Sequence, residues 1–140
     1  RFDRSLSVLR HARTAGALTK TGVMLGLGEE LQEVRDVIEQ AAEVGLTVLT
    51  LGQYLSPSQK HLPVARFVHP DEFAELAEFA RARGIPEVVA GPLVRSSYHA
   101  EGQTELIYEL QSRPGFGRVG FASLRASATQ PAANAPTADA

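Results

Sequence analysis

Phe2, Leu6, Leu9 and Ala12 recur at helical spacing and Gly16 interrupts them, which predicts a helix over about residues 3–15. Thr21 to Leu25 then reads as a strand that ends in Gly26-Leu27-Gly28-Glu29. A second apolar stripe, Leu31, Val34, Ile38, Ala41 and Ala42, predicts a helix over about 30–44, with Gly45 as its stop. Thr47-Val48-Leu49-Thr50-Leu51 lacks the polar alternation of a half-exposed strand, as expected of one covered on both faces. Gly52 to His69 carries Pro57 and Pro63 and is bounded by Pro70, so no helix runs through it. A connection of that length is usually functional or disordered. Its apolar anchors, Tyr54, Leu55, Leu62, Val64, Phe67 and Val68, favour an ordered loop. Pro70-Asp71-Glu72 opens a third helix, striped by Phe73, Leu76, Ala77 and Ala80 and ended by Gly84. Val88 to Ala90 is a third strand, and Thr104 to Gln111 a short helix.

The order α-β-α-β-α-β implies a parallel sheet with right-handed crossovers. Three strands cannot close a barrel, so they form either a small open sheet or the second half of a larger β/α barrel. The chain opens at Arg1, directly in a helical pattern, which favours the second expectation. One sheet edge should then be raw. We divide the chain into 1–111, the β/α unit, and 112–140, where Ala, Pro, Ser and Thr dominate and a disordered tail is expected.

Composition changes this picture by exclusion. Hydrophobic residues make up 44% of 140, enough for a core, and 14 basic against 16 acidic side chains offer no electrostatic reason to propose nucleic acid or an anionic membrane as partner. No apolar run approaches the roughly 20 residues of a bilayer span, and no signal peptide is visible, so a cytoplasmic setting is expected. There is no cysteine, which removes disulfides, thiolate metal sites and cysteine nucleophiles from this chain.

Candidate chemistry gathers in the three segments that follow the strands, where alternating β/α folds place their sites. The first holds Gly26, Gly28, Glu29 and Glu30. Its glycines allow close backbone approach to a ligand and the helix end behind them favours negative charge, although the acids could equally complement that helix end. The second holds Gln53, Tyr54, Ser58, Lys60, His61 and Arg66. Gln53, next to the strand, is expected to point into a shared site, whereas His61 reads more readily as a structural histidine than as a ligand or base. The third, Gly91-Pro92-Leu93-Val94-Arg95-Ser96-Ser97-Tyr98-His99-Ala100, concentrates a guanidinium, two hydroxyls, a phenol and an imidazole. No nucleophile elbow surrounds the serines, so a phosphate or carboxylate clamp suits Arg95 and the hydroxyls better than hydrolase chemistry.

The same residues resemble the lipoyl synthase family. Arg95-Ser96-Ser97-Tyr98-His99-Ala100 looks like its carboxyl-terminal signature. Arg4-Ser5-Leu6, Gly26-Leu27-Gly28-Glu29, Thr50-Leu51-Gly52-Gln53-Tyr54-Leu55 and His61-Leu62-Pro63-Val64 follow in the family's order, over about residues 1–103. The resemblance implies half of a partial radical S-adenosylmethionine barrel. It implies S-adenosylmethionine and two 4Fe–4S clusters as cofactors, one cluster generating a 5′-deoxyadenosyl radical and an auxiliary one donating sulfur to carbons 6 and 8 of an octanoyl chain. The implied partners are octanoylated lipoyl carrier domains of 2-oxoacid dehydrogenases or the glycine cleavage H protein, and an electron donor. Gly22-Val23-Met24-Leu25-Gly26-Leu27-Gly28-Glu29 fits the G-x-I-x-G-x-x-E pattern of such barrels, with Met24 where Ile is usual. The resemblance therefore implies that the Met24 strand, with Gly26 and Glu29, packs against the adenine, makes Ser97 a ligand to an iron of the auxiliary cluster, and gives Arg95 hydrogen bonds or charge near that cluster. Gln53 is expected as a further cofactor contact from its place directly after the strand. Neither of the family's cysteine triads is present, so the chain alone is not expected to assemble a cluster or turn over. The alternatives are another radical enzyme's half-barrel and a non-catalytic β/α module that binds an anion through Gly26, Gly28 and Arg95.

Overall fold

The computed structural model describes residues 2–95 together with positions 109 and 112. Six elements alternate along it: α1 (Phe2–Thr14), β1 (Lys20–Leu25), α2 (Leu31–Glu43), β2 (Val48–Gln53), α3 (Pro70–Ala82) and β3 (Glu87–Gly91). The strands form one open parallel sheet in the order β1-β2-β3, so the chain is α/β as the alternation predicted. Neither outer sheet edge has a strand partner among the described residues. The short helix expected at 104–111 and the tail from 112 lie essentially outside the described residues, as does Ser97.

Each helix begins and ends for a local reason. Glu30 caps α2 in a reciprocal box with Glu33, whose carboxylate accepts from the Glu30 amide at 2.8 Å. His69 caps α3: its Nδ1 accepts from the Asp71 amide at 3.2 Å, and Glu72 accepts from the His69 amide. Pro70 sits at the first turn, where a missing N–H costs nothing. At the end of α2 the backbone turns through Gly45 at φ +78°, a conformation that side-chain-bearing residues rarely adopt.

The core lies between one face of the sheet and α2 and α3. Leu25, Leu49, Leu51 and Val88 meet Val34, Ile38 and Ala41 of α2 and Phe73, Leu76, Ala77 and Ala80 of α3. The helical spacing of these residues is the reason they arrive on one side. At the surface, Arg83 pairs with Glu39 at 2.6 Å and Arg35 pairs with Glu75, and both guanidiniums lie near the Phe79 ring. In α1 only Leu6 is buried, and Phe2 remains 40% exposed.

Register decides what the opposite face presents. Gly22 pairs with Thr50, Met24 with Gly52, and Gly52 with Gly91, so these residues share the face turned away from α2 and α3. Leu25 pairs with Gln53, which places Gln53 on the helix side. β2 is buried throughout, as its unbroken apolar run implied, but it runs on through Gly52 and Gln53 instead of ending at Leu51.

Candidate functional site

Three loops leave the carboxyl edge of the sheet, at 26–30, 54–69 and 92–95. In the first, Gly26 (φ +99°) and Gly28 (φ +109°) curl the backbone so that its amides point inward. Glu29 fills that curl. Its Oε1 accepts from the Gly26 amide at 2.6 Å and its Oε2 from the Leu27 amide at 2.8 Å. These two amides are therefore taken by a carboxylate of the chain itself.

Burial pushes the Glu29 carboxyl up. The hydrogen bonds from the Gly26, Glu29 and Leu27 amides and the charge of Arg66 outweigh it, so the pKa lies below the usual value. Glu72 is also lowered, first by its side-chain hydrogen bonds from Arg66 and then by the His69 amide. Arg66 reaches both Glu72 oxygens, at 2.8 and 2.9 Å, as a fork. Both carboxyls thus have folded-state pKa values below their unfolded ones. The stability they contribute is present above pH 4.5, the ordinary carboxylate value, and is lost as pH falls through the lowered values. Glu29→Gln should cost about 1 kcal/mol at neutral pH. Urea titrations should show this deficit shrinking below pH 4.5; a deficit that stays constant on acidification would remove the charge from the explanation.

At the end of β2, where the second loop begins, Gln53 is 3% exposed and its side chain bonds to loop backbone. Its Nε2 donates to the Tyr54 and Arg66 carbonyls at 3.0 and 3.1 Å, and its Oε1 accepts from the Val68 amide at 2.9 Å. Gln53 was expected to point into the site shared by the three loops; its pairing with Leu25 sets it on the opposite sheet face from Met24, where its carboxamide is spent on loop backbone. His61 is exposed, and its Nδ1 lies 2.9 Å from the Ser58 hydroxyl.

The third loop folds back across the sheet. Val94 is buried, and a Cβ on Gly52 would collide with the Val94 carbonyl oxygen, so only glycine permits the approach. The Arg95 guanidinium donates to the Val94 carbonyl at 2.8 Å. This fold-back closes a cavity of about 180 Å³ lined by Gly22, Val23, Met24, Thr50, Gly52, Val94 and Arg95. Met24 and Arg95, far apart in sequence, are brought together here. Gly26, Glu29 and Gln53 do not line the cavity; they build the rim beside it. Thr50 and Val94 escaped sequence reasoning. Only the pairing of Thr50 with Gly22 reveals that this threonine leaves the core, since a Cβ on Gly22 would sit 2.7 Å from its hydroxyl.

Among the described residues no group of three or more His, Cys, Asp or Glu could hold a metal ion, and the chain has no cysteine. These residues therefore do not fit an iron–sulfur cluster. Among them, too, no helix is long and apolar enough to cross a membrane.

The sheet and its edge loops define the class: a parallel α/β unit with a small, mostly apolar cavity at the carboxyl ends of its strands. Comparison with curated proteins is more particular. The chain is 50% identical over 103 residues to a lipoyl synthase of Leptospira interrogans, covering 74% of this chain and 34% of that protein. It is 51% identical over 100 residues to the lipoyl synthase of Leifsonia xyli, covering 71% and 30%. To that of Hahella chejuensis it is 58% identical over 85 residues, covering 61% and 26%. The chain is homologous to part of lipoyl synthase and spans about a third of these relatives' length. No protein-family model matches it.

Proposed function

We propose that this chain is a portion of a lipoyl synthase, an enzyme that inserts two sulfur atoms into an octanoyl chain on a carrier domain. The observation that carries this reading is identity near one half over about a hundred residues to proteins of that name. Two structural features support it. The cavity joins a flexible thioether, Met24, to glycine backbone on β1 and β2, a surface suited to a flat nucleobase. The loop rim exposes Leu27, Leu55, Leu62, Phe67 and Leu93, each at least 43%, which suits an acyl chain and a protein that presents it.

In this reading Met24 packs against the adenine of S-adenosylmethionine, Gly26 and Glu29 shape the turn beside it, Ser97 offers a hydroxyl to an iron of the auxiliary cluster, and Arg95 offers hydrogen bonds or positive charge near that cluster. Bound S-adenosylmethionine would supply a deoxyadenosyl radical when cleaved reductively. The thiolates of both 4Fe–4S clusters would come from cysteines elsewhere in a longer polypeptide. The partners are octanoylated lipoyl carrier domains and an electron donor, and the setting is cytoplasmic. A module binding an anion through Gly26, Gly28 and Arg95 is disfavoured, because Glu29 already occupies the Gly26 and Leu27 amides.

The test is mass spectrometry of an octanoylated carrier domain. It is incubated with S-adenosylmethionine, a reductant and a polypeptide joining this chain to cysteine-bearing barrel residues. The carrier is expected to gain two sulfurs, as the dithiol under the reductant, and to lose two hydrogens only once that dithiol is oxidised to the cyclic disulfide. An unchanged carrier mass, with iron fully loaded, contradicts the proposal.

A further inference from the structure

The first two rim loops are locked to each other, and the lock centres on a residue that does not face the cavity. Gln53 uses both amide hydrogens and its carbonyl on the backbone of Tyr54, Arg66 and Val68, the two ends of one long loop. Gly26 lies directly against it: a Cβ there would collide with Gln53 Nε2 and come within 2.5 Å of the Arg66 carbonyl. The Gly26 carbonyl accepts from the Ala65 amide at 2.8 Å, and the Leu25 carbonyl accepts from the Tyr54 amide at 2.8 Å. The Tyr54 hydroxyl donates to the Leu62 carbonyl at 3.0 Å and so braces the loop's middle. Glu29 then holds the Gly26 and Leu27 amides from the other side.

We infer that Gln53 is a positioning residue that clamps the 54–68 loop onto the Gly26–Glu29 turn, so that the two loops order and loosen as one unit. Residue 26 is glycine, on this account, because the neighbouring loop needs the space a side chain would fill. A carboxamide suits position 53 because it alone offers two donors and an acceptor on one short plane. What the unit positions rests on the proposed function; that it is a unit does not.

Native-state hydrogen exchange of the full chain, resolved by residue, tests the inference without any cofactor. In the wild type, the Gly26, Leu27, Ala65 and Val68 amides should open with one common free energy and one common denaturant slope, distinct from those of Ile38 in the core. In Gln53→Leu all four should exchange about tenfold faster or more, with Ile38 unchanged. Gly26→Ala pushes on the clamp from the opposite side and should loosen Ala65 and Val68 likewise. Separate slopes in the wild type overturn the inference, as does a Gln53→Leu effect confined to Val68. An Ile38 amide that accelerates as much as Val68 also overturns it, since Gln53 would then be a core residue only. In the polypeptide that turns over, Gln53→Leu should raise KM for S-adenosylmethionine about tenfold at unchanged iron content. An unchanged KM overturns the positioning role. A wild type that does not turn over counts against the proposed function alone and leaves the exchange data to judge the clamp.

Discussion

Phe73→Ala should lower the unfolding free energy of the chain by about 3–5 kcal/mol. The ring is 1% exposed and is one of the largest fully buried side chains in the protein. It stands at the start of α3, where the helix comes down on the sheet beside Leu76, Leu51 and Val88. Truncation removes the transfer free energy of the ring and leaves a cavity that β2 cannot collapse to fill, since that strand is paired on both sides. A domain of this size has roughly 5–15 kcal/mol in total, so one substitution consumes a large share. Urea unfolding followed by far-UV circular dichroism measures it: the midpoint should fall with the slope unchanged. A loss below about 1 kcal/mol would show that α3 does not seal the core.

How well the chain could be read in advance depended on whether a feature was local. Helices α1, α2 and α3 were legible because apolar residues at three- and four-residue spacing are bounded by Gly16, Gly45 and Gly84. The buried character of β2 was legible from its unbroken apolar run. Its end was not, because Gly52-Gln53 looks like a turn. Only the approach of Val94 shows why a glycine belongs inside the strand there.

Side-chain direction was the least legible property. Gln53 follows a buried strand and looks like a site residue, yet pairing with Leu25 turns it toward the helix side and the loop backbone. Thr50 sits in a run that reads as core, yet pairing with Gly22 puts it on the cavity. Both facts depend on register with a strand about thirty residues away, which no local pattern carries. The resemblance to lipoyl synthase, in contrast, was legible from short motifs in order, and the identities to named relatives agree with it.

The second large effect concerns Ser97, which lies outside the described residues, and its role comes from the resemblance alone. A hydroxyl oxygen is a harder donor than the thiolates that ordinarily hold such clusters, which suits an iron meant to be lost when sulfur is withdrawn. The serine should therefore matter for sulfur transfer and not for radical formation. Replacing it by alanine in the cysteine-bearing polypeptide separates the two, since deoxyadenosine reports the first step and lipoyl product the second.

The decisive measurement is the ratio of those two products in Ser97→Ala, read together with iron content. We predict deoxyadenosine at close to the wild-type level, lipoyl product reduced at least about tenfold, and iron lost from one cluster only. Normal lipoyl formation with both clusters full would contradict the account.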